Sequence, residues 1–145
     1  MKIESEFKSK VQIQLRFKDI DAMGHVNNAN HLTYFELARV QYFNALLGSG
    51  IDWNRKGIIL ARIEIDYKRP LLLREHVEVE CRVSRLGNSS FEMEYRILAR
   101  GSGPEFHIAA TGKSVQVCFD YEQGVSISIP DQWREKVLAF ESSGT

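Results

Sequence analysis

Arg16-Phe17-Lys18-Asp19-Ile20-Asp21-Ala22-Met23-Gly24-His25-Val26-Asn27-Asn28-Ala29-Asn30-His31 joins two segments of different periodicity. Upstream, Val11, Ile13, Leu15 and Phe17 alternate with Gln12, Gln14, Arg16 and Lys18, which predicts a half-buried strand from Val11 to Phe17. Downstream, from near Asn30, Leu32, Phe35, Ala38, Tyr42 and Leu46 recur at helical spacing with Tyr34, Phe43 and Leu47, and Gly48 supplies a stop. This predicts a helix of about 17 residues, long against a mean of about 11–12. Its apolar residues wrap around more than one face, so the helix is expected to be largely buried. The linking loop holds two carboxylates, two imidazoles and three carboxamides. It sets Asp21 just ahead of a helix N-terminus, where unpaired N–H groups and the macrodipole favour negative charge. Such a place suits the stabilisation of an oxyanion.

Beyond the loop from Gly48 to Gly57, with Trp53, the chain reads mostly as strand. Ile58 to Lys68 comes first and Pro70 breaks it. From His76 to Leu86, Val77, Val79, Cys81 and Val83 alternate with polar residues, and Gly87-Asn88 signals a hairpin into the alternation Phe91, Met93, Tyr95, Ile97, Ala99. Gly101-Ser102-Gly103-Pro104 forms the next turn, Phe106 to Phe119 a long strand, and Val125 to Ile129 a short edge strand. Pro130-Asp131 opens a short helix to Phe140, and Glu141 to Thr145 reads as a frayed tail. Strand, loop, long helix and antiparallel meander lack the β-α-β alternation of a parallel sheet. A curled sheet around one apolar helix buries both.

The 145 residues suit one domain, residues 1–145, and 43% hydrophobic with 26% charged residues is ordinary globular composition. Nineteen basic residues balance nineteen acidic ones, so no basic excess marks a nucleic-acid partner. Cys81 and Cys118 sit in strand-like runs without metal spacing and are expected to be buried thiols. No apolar leader occupies Met1 to Lys10 and no run is long enough to span a membrane, so a cytoplasmic location is expected.

Asp19-x-Asp21-x-x-Gly24-His25-Val26-Asn27-Asn28, followed by Tyr34-Phe35-Glu36-x-Ala38-Arg39, resembles the hotdog-fold acyl-CoA thioesterases of the 4-hydroxybenzoyl-CoA thioesterase-like group. Tyr67-Lys68-Arg69-Pro70-Leu71 and Arg85-Leu86-Gly87-Asn88-Ser89-Ser90 resemble later segments of that family, so the likeness runs from Val11 to Phe119. The resemblance implies an α+β hotdog fold, a long central helix wrapped by a curved antiparallel sheet. It implies hydrolysis of acyl-CoA, with Asp21 as base or nucleophile and the backbone N–H at or near Asn28 polarising the carbonyl. The His25-Val26-Asn27-Asn28 version resembles the branch acting on fatty acyl thioesters, which includes plant acyl carrier protein thioesterases. The resemblance further implies a homodimer or homotetramer with its active site at the interface.

The residues are also read individually. His25 is expected to touch substrate, orient a water or make a loop contact, and Gly24 belongs to the substrate-contacting set. Asp19 is expected to cap the turn or pair with Arg16 or Lys18, and His31 to be a core or interface residue. Glu36, if buried, needs a partner such as Arg39. Lys68, Arg69, Arg85 and Lys113, with Ser89 and Ser90 as neutral donors, are candidates for the phosphates of CoA. Phe35, Tyr34, Phe43 and Leu46 either line an acyl tunnel or pack the core. Asp19, Asp21, His25 and His31 match no metal-ligand spacing, so neither metal nor cofactor is expected. The alternatives are an acyl carrier protein thioesterase, a hotdog dehydratase and a non-catalytic acyl-binding module. They require, in turn, a coherent basic face, an Asp-His pair placed for proton transfer at carbon, and no unpaired carboxylate near the carbonyl.

Overall fold

Six strands and two helices follow one another in a computed structural model that describes residues 1–3, 6–48 and 51–142. They are β1 Ser9–Ile13, α1 Asn28–Leu47, β2 Lys56–Tyr67, β3 His76–Leu86, β4 Ser90–Arg100, β5 His107–Asp120, β6 Val125–Ser126 and α2 Asp131–Ser142. The strands form one antiparallel sheet in the order β1-β3-β4-β5-β2, with β6 added to β5. The expected α+β hotdog is the observed fold: the curved sheet holds α1 against one face.

Odd-numbered residues of β4 (Phe91, Met93, Tyr95, Ile97, Ala99) and even-numbered residues of β5 (Ala110, Ser114, Gln116, Cys118) point inward and are buried. Phe35 from α1 stacks on Tyr95 with ring centroids 4.6 Å apart. Gly112 of β5 lies opposite Tyr95, and a Cβ there would collide with the Phe35 ring, so the absence of a side chain lets the helix seat on the sheet. Cys81 and Cys118 are buried free thiols, as expected; burial pushes them up to about 12 and about 11 respectively.

Several boundaries differ from the sequence reading. β1 ends at Ile13, opposite Val77, because β3 begins at His76 and offers no partner further on; Phe17 sits in a 3-10 turn and is 84% exposed. α1 starts at Asn28 and has 20 residues. It is not buried all round: Leu37 and Val40 are 48% and 49% exposed, Leu37 beside β1 and Val40 between β1 and the open edge of β2. β2 carries one extra residue, Ala61, between Leu60 opposite Gln116 and Arg62 opposite Val115.

The expected tail is the largest correction. Glu141 belongs to α2 and is 2% exposed, while residues 143–145 lie outside those described, as do Ser49 and Gly50 of the loop after α1. The Glu141 carboxylate accepts hydrogen bonds from the Tyr42 hydroxyl at 2.7 Å and the Val83 amide at 2.9 Å. It ties the last helix to both α1 and β3. Glu141→Ala leaves those two buried donors unsatisfied and is expected to lower stability by about 2–3 kcal/mol, read from urea denaturation midpoints at unchanged m-value. An unchanged midpoint would show that α2 is not held by this carboxylate.

Candidate active site

The loop before α1 is built on Asp19, 2% exposed. Its carboxylate accepts from the Arg16 amide at 3.1 Å, the Arg16 guanidinium at 3.0 Å and the Tyr34 hydroxyl at 2.9 Å. Burial alone would raise its pKa, but the hydrogen bonds and charge of Arg16, with Tyr34, outweigh burial and hold it below the ordinary carboxylate value. The Asp19 carbonyl accepts from the Asn27 amide at 2.8 Å and the Asn30 side chain at 3.1 Å. Of the expected roles for Asp19, a turn cap or a pair with Arg16 or Lys18, the pair with Arg16 is present; its bond to the helix, fifteen residues away, has no local signal in the sequence.

Between these anchors the chain makes a tight loop. The Asp21 amide donates to the His25 carbonyl at 2.8 Å, and Gly24 turns at φ +80°, where a Cβ would be strained. Oδ1 of Asp21 accepts from the Met23 amide at 2.9 Å and the His25 amide at 3.4 Å. Among the described residues nothing donates to Oδ2, so one carboxylate oxygen shapes the loop and the other is open. His25 meets Asp21 through its main chain.

Asn27 caps α1: its side chain accepts from the Ala29 amide at 3.0 Å and its carbonyl from the Asn30 amide at 2.9 Å. The Asn28 amide, first in the helix, has no acceptor among the described residues. Its carbonyl accepts from the Tyr67 hydroxyl at 2.9 Å, which fixes the helix start to the end of β2. Tyr67 was visible in the sequence only as part of a motif, since the contact spans 39 positions. His31 is a core residue, 1% exposed, with its ring edge-on to Tyr67 at 4.9 Å. Burial lowers its pKa, so it is neutral near pH 7.

The basic candidates fall into two places. Lys68 and Arg69 are exposed beside the helix start, their amides both donating to the Ala109 carbonyl. Arg85, Ser89 and Ser90 lie at the β3–β4 turn, at the far end of the sheet. Tyr67 is opposite Ala110 and Ile59 opposite Val117, the partner of Ser90; the seven residues from Ala110 to Val117 separate the two sets by roughly 23 Å at about 3.3 Å per residue. One chain does not bring both to one phosphate. Arg85 pairs loosely with Glu92 at 3.8 Å. Lys113 is on the outer face of β5, beside Glu94.

A groove of about 460 Å³ runs between α1 and β2, lined by Glu36, Arg39, Phe43, Trp53, Leu60 and Gln116 among others. It begins eight residues beyond Asn28, about 12 Å along the helix. Glu36 is exposed rather than buried and forms no ion pair with Arg39 among the described residues. Of the proposed tunnel residues, Phe43 borders the groove, whereas Phe35 and Tyr34 are committed to Tyr95 and Asp19. Among the described residues, no three His, Cys, Asp or Glu side chains gather as metal ligands, and no helix is long and apolar enough to cross a membrane.

The thioesterase-like superfamily model matches residues 15–137. A thioesterase from Thermus thermophilus, solved with coenzyme A and Zn, is 38% identical with a TM-score of 0.80, covering 96% of this chain and 98% of that one. The long-chain acyl-CoA thioesterase FadM of Escherichia coli is 26% identical over 88% of this chain and 96% of its own. The 1,4-dihydroxy-2-naphthoyl-CoA hydrolase of Synechococcus elongatus is 27% identical over 83% of this chain and 88% of its own.

The Asp19 anchor gives the loop a pH dependence. A carboxyl with a depressed folded pKa contributes stability above its unfolded value, about 3.9, and loses it as pH falls through the lower folded value. Asp19→Asn is therefore expected to flatten the fall in melting temperature between about pH 4 and pH 2. The same acid-limb slope in the variant would remove Asp19 as its source.

Proposed function

The chain belongs to the thioesterase-like superfamily and is a hotdog-fold thioesterase; on that premise we propose that it hydrolyses fatty acyl-CoA to the free acid and CoA. The observation that carries the mechanism is the unpaired amide of Asn28 at the head of a 20-residue helix. With the helix dipole behind it, that N–H stabilises the oxygen of a bound thioester as negative charge develops. Asp21 acts through its open Oδ2. As a base, it takes a proton from a water that attacks the carbonyl carbon; the C–S bond breaks and the CoA sulfur leaves as thiolate, which is then protonated. As a nucleophile, it attacks the carbonyl carbon, the C–S bond breaks and the CoA thiolate leaves to be protonated, and water then cleaves the mixed anhydride to the free acid and the Asp21 carboxylate. His25 and Gly24 shape the floor on which the thioester rests. Lys68 and Arg69 receive CoA phosphates beside the helix start.

We also place the working site between two copies, as a homodimer or a pair of dimers, in the cytoplasm. The open 12-residue edge of β2 meets α1 at Val40, which lines one groove with Ile58 and Leu60, and this suits a second copy. Antiparallel pairing of two β2 strands about their midpoints sets Tyr67 and the helix start of one copy beside the groove of the other. It also draws Lys68 and Arg69 of one copy toward Ser89, Ser90 and Arg85 of its partner, joining the two halves of a CoA site.

Three measurements test this reading. Release of free thiol from a chain-length series of acyl-CoAs is expected, and Asp21→Asn should lower kcat about 100-fold or more at unchanged fold. Asn28→Pro removes the amide hydrogen together with the side chain, and Asn28→Ala, which keeps the amide, is its control: proline is tolerated at the first helical position, and Asn27 already has the extended backbone (φ −58°, ψ 135°) that a following proline requires. A loss of about 100-fold with an intact circular dichroism spectrum is expected. Binding of acyl-CoA without thiol release would make the protein an acyl-binding module, and full activity in the proline variant would remove the amide from the mechanism. Sedimentation is expected to give a dimer or tetramer; a monomer at micromolar concentration would dismiss the shared site.

A further inference from the structure

The groove between α1 and β2 is not a plain hydrocarbon tunnel. Arg39 reaches it from α1, partly buried and without an ion-pair partner among the described residues. One of its five N–H donors is used: Nη1 donates to the Tyr95 hydroxyl at 3.0 Å. Behind Tyr95 the chain of hydrogen bonds continues. The Tyr95 hydroxyl meets Ser114 Oγ at 2.6 Å, and Gln116 Nε2 donates to the same Oγ at 2.9 Å. Tyr95, Ser114 and Gln116 are 1%, 2% and 1% exposed, and Gln116 returns to the groove wall.

This is an expensive arrangement for a core. A buried hydroxyl pair and a carboxamide are held in one geometry, and their outer member is a guanidinium on the wall of a cleft that also holds Phe43, Trp53 and Leu60, with Glu36 and Asn44. Fixing Arg39 from behind orients its remaining donors in advance, and preorganised donors select acceptors. A saturated alkyl chain would desolvate the guanidinium and give it nothing in return. Glu36, on the same wall, is exposed and forms no ion pair with Arg39 among the described residues.

We propose that Arg39, held by Tyr95, Ser114 and Gln116, is a specificity-determining residue that receives an oxygen on the acyl group remote from the thioester. The substrate class is thus an acyl-CoA whose acyl portion carries a hydroxyl or carboxylate acceptor at its distal end. This rests on the thioesterase reading above for the presence of the acyl group in the groove. It agrees with relatives of similar identity acting on acyl groups as different as a long chain and a dihydroxynaphthoyl unit, which leaves selection to groove residues.

The test separates binding from hydrolysis. Non-hydrolysable ketone analogues of acyl-CoA, with methylene in place of the thioester sulfur, are prepared with six to twelve acyl carbons, each plain, terminally hydroxylated and terminally carboxylated. Calorimetry on the full chain is expected to show, at one length, an oxygenated analogue binding at least about tenfold more tightly than its plain counterpart, the size of a hydrogen bond to a charged group. The better of the hydroxyl and carboxylate arms identifies the acceptor. In Arg39→Met the advantage should fall within about twofold, and in Tyr95→Phe, which frees the guanidinium from its anchor, it should shrink. Equal or tighter binding of the plain analogue at every length overturns the proposal, even if neither variant folds. So does a preference that survives Arg39→Met, or an Arg39→Met protein that loses its partner copy with the preference intact. True thioesters left uncleaved while the oxygen preference holds would strike down the hydrolase and spare the groove assignment; the reverse pattern strikes down only the latter.

Discussion

The loop that carries Asp21 is anchored on the buried carboxylate of Asp19. That group takes hydrogen bonds from Arg16 on one side and from Tyr34, in the second turn of α1, on the other. Its carbonyl meanwhile takes up the Asn27 amide and the Asn30 side chain. Residues before, within and after the loop are thus pinned to one point. The cost of burying a charge is offset by four hydrogen bonds to the carboxylate, three from Arg16 and one from Tyr34. The helix cap can then leave one amide open because neighbouring amides have been satisfied by Asn27. An unpaired N–H costs little where water or a ligand can reach it.

Most of the framework was legible in the sequence. The strand from His76 to Leu86 has its expected ends, because alternation there coincides with one buried face and a hairpin turn follows. The motif from Asp19 to Asn28 located both the loop and the open amide. What escaped the sequence shares one cause, pairing across long separations. β1 stops where its partner starts, a limit set 64 residues away at Val77 opposite Ile13. Glu141 was read as solvated tail because a lone carboxylate near a terminus usually is, and only Tyr42 and Val83 make its burial favourable. The Arg39–Tyr95–Ser114–Gln116 chain crosses three elements, and no local pattern announces it.

The central helix divides its length by task. Its first turn is polar, capped and exposed, and presents backbone. Its middle is committed to the sheet through Phe35 on Tyr95, with Gly112 clearing the way. Its second half faces the sheet with Tyr42 and Phe43 but turns Leu37 and Val40 outward. The low amphipathic contrast of the sequence therefore reflects two apolar faces with different uses rather than complete enclosure. One is satisfied within the chain, and the other runs from the β1 side at Leu37 to the bare margin of β2 at Val40.

The single inserted residue in β2, Ala61, has a geometric effect out of proportion to its size. Before it, even-numbered side chains, Ile58 and Leu60, turn toward α1; after it, odd-numbered ones do, Ile63, Ile65 and Tyr67. Side chains alternate strictly along a strand, so parity decides which face each one serves. In an uninterrupted strand, Leu60 and Tyr67 could never look the same way. The bulge is a phase shifter: it lets one ribbon furnish both the wall of a cleft and the hydroxyl that steadies the start of a helix.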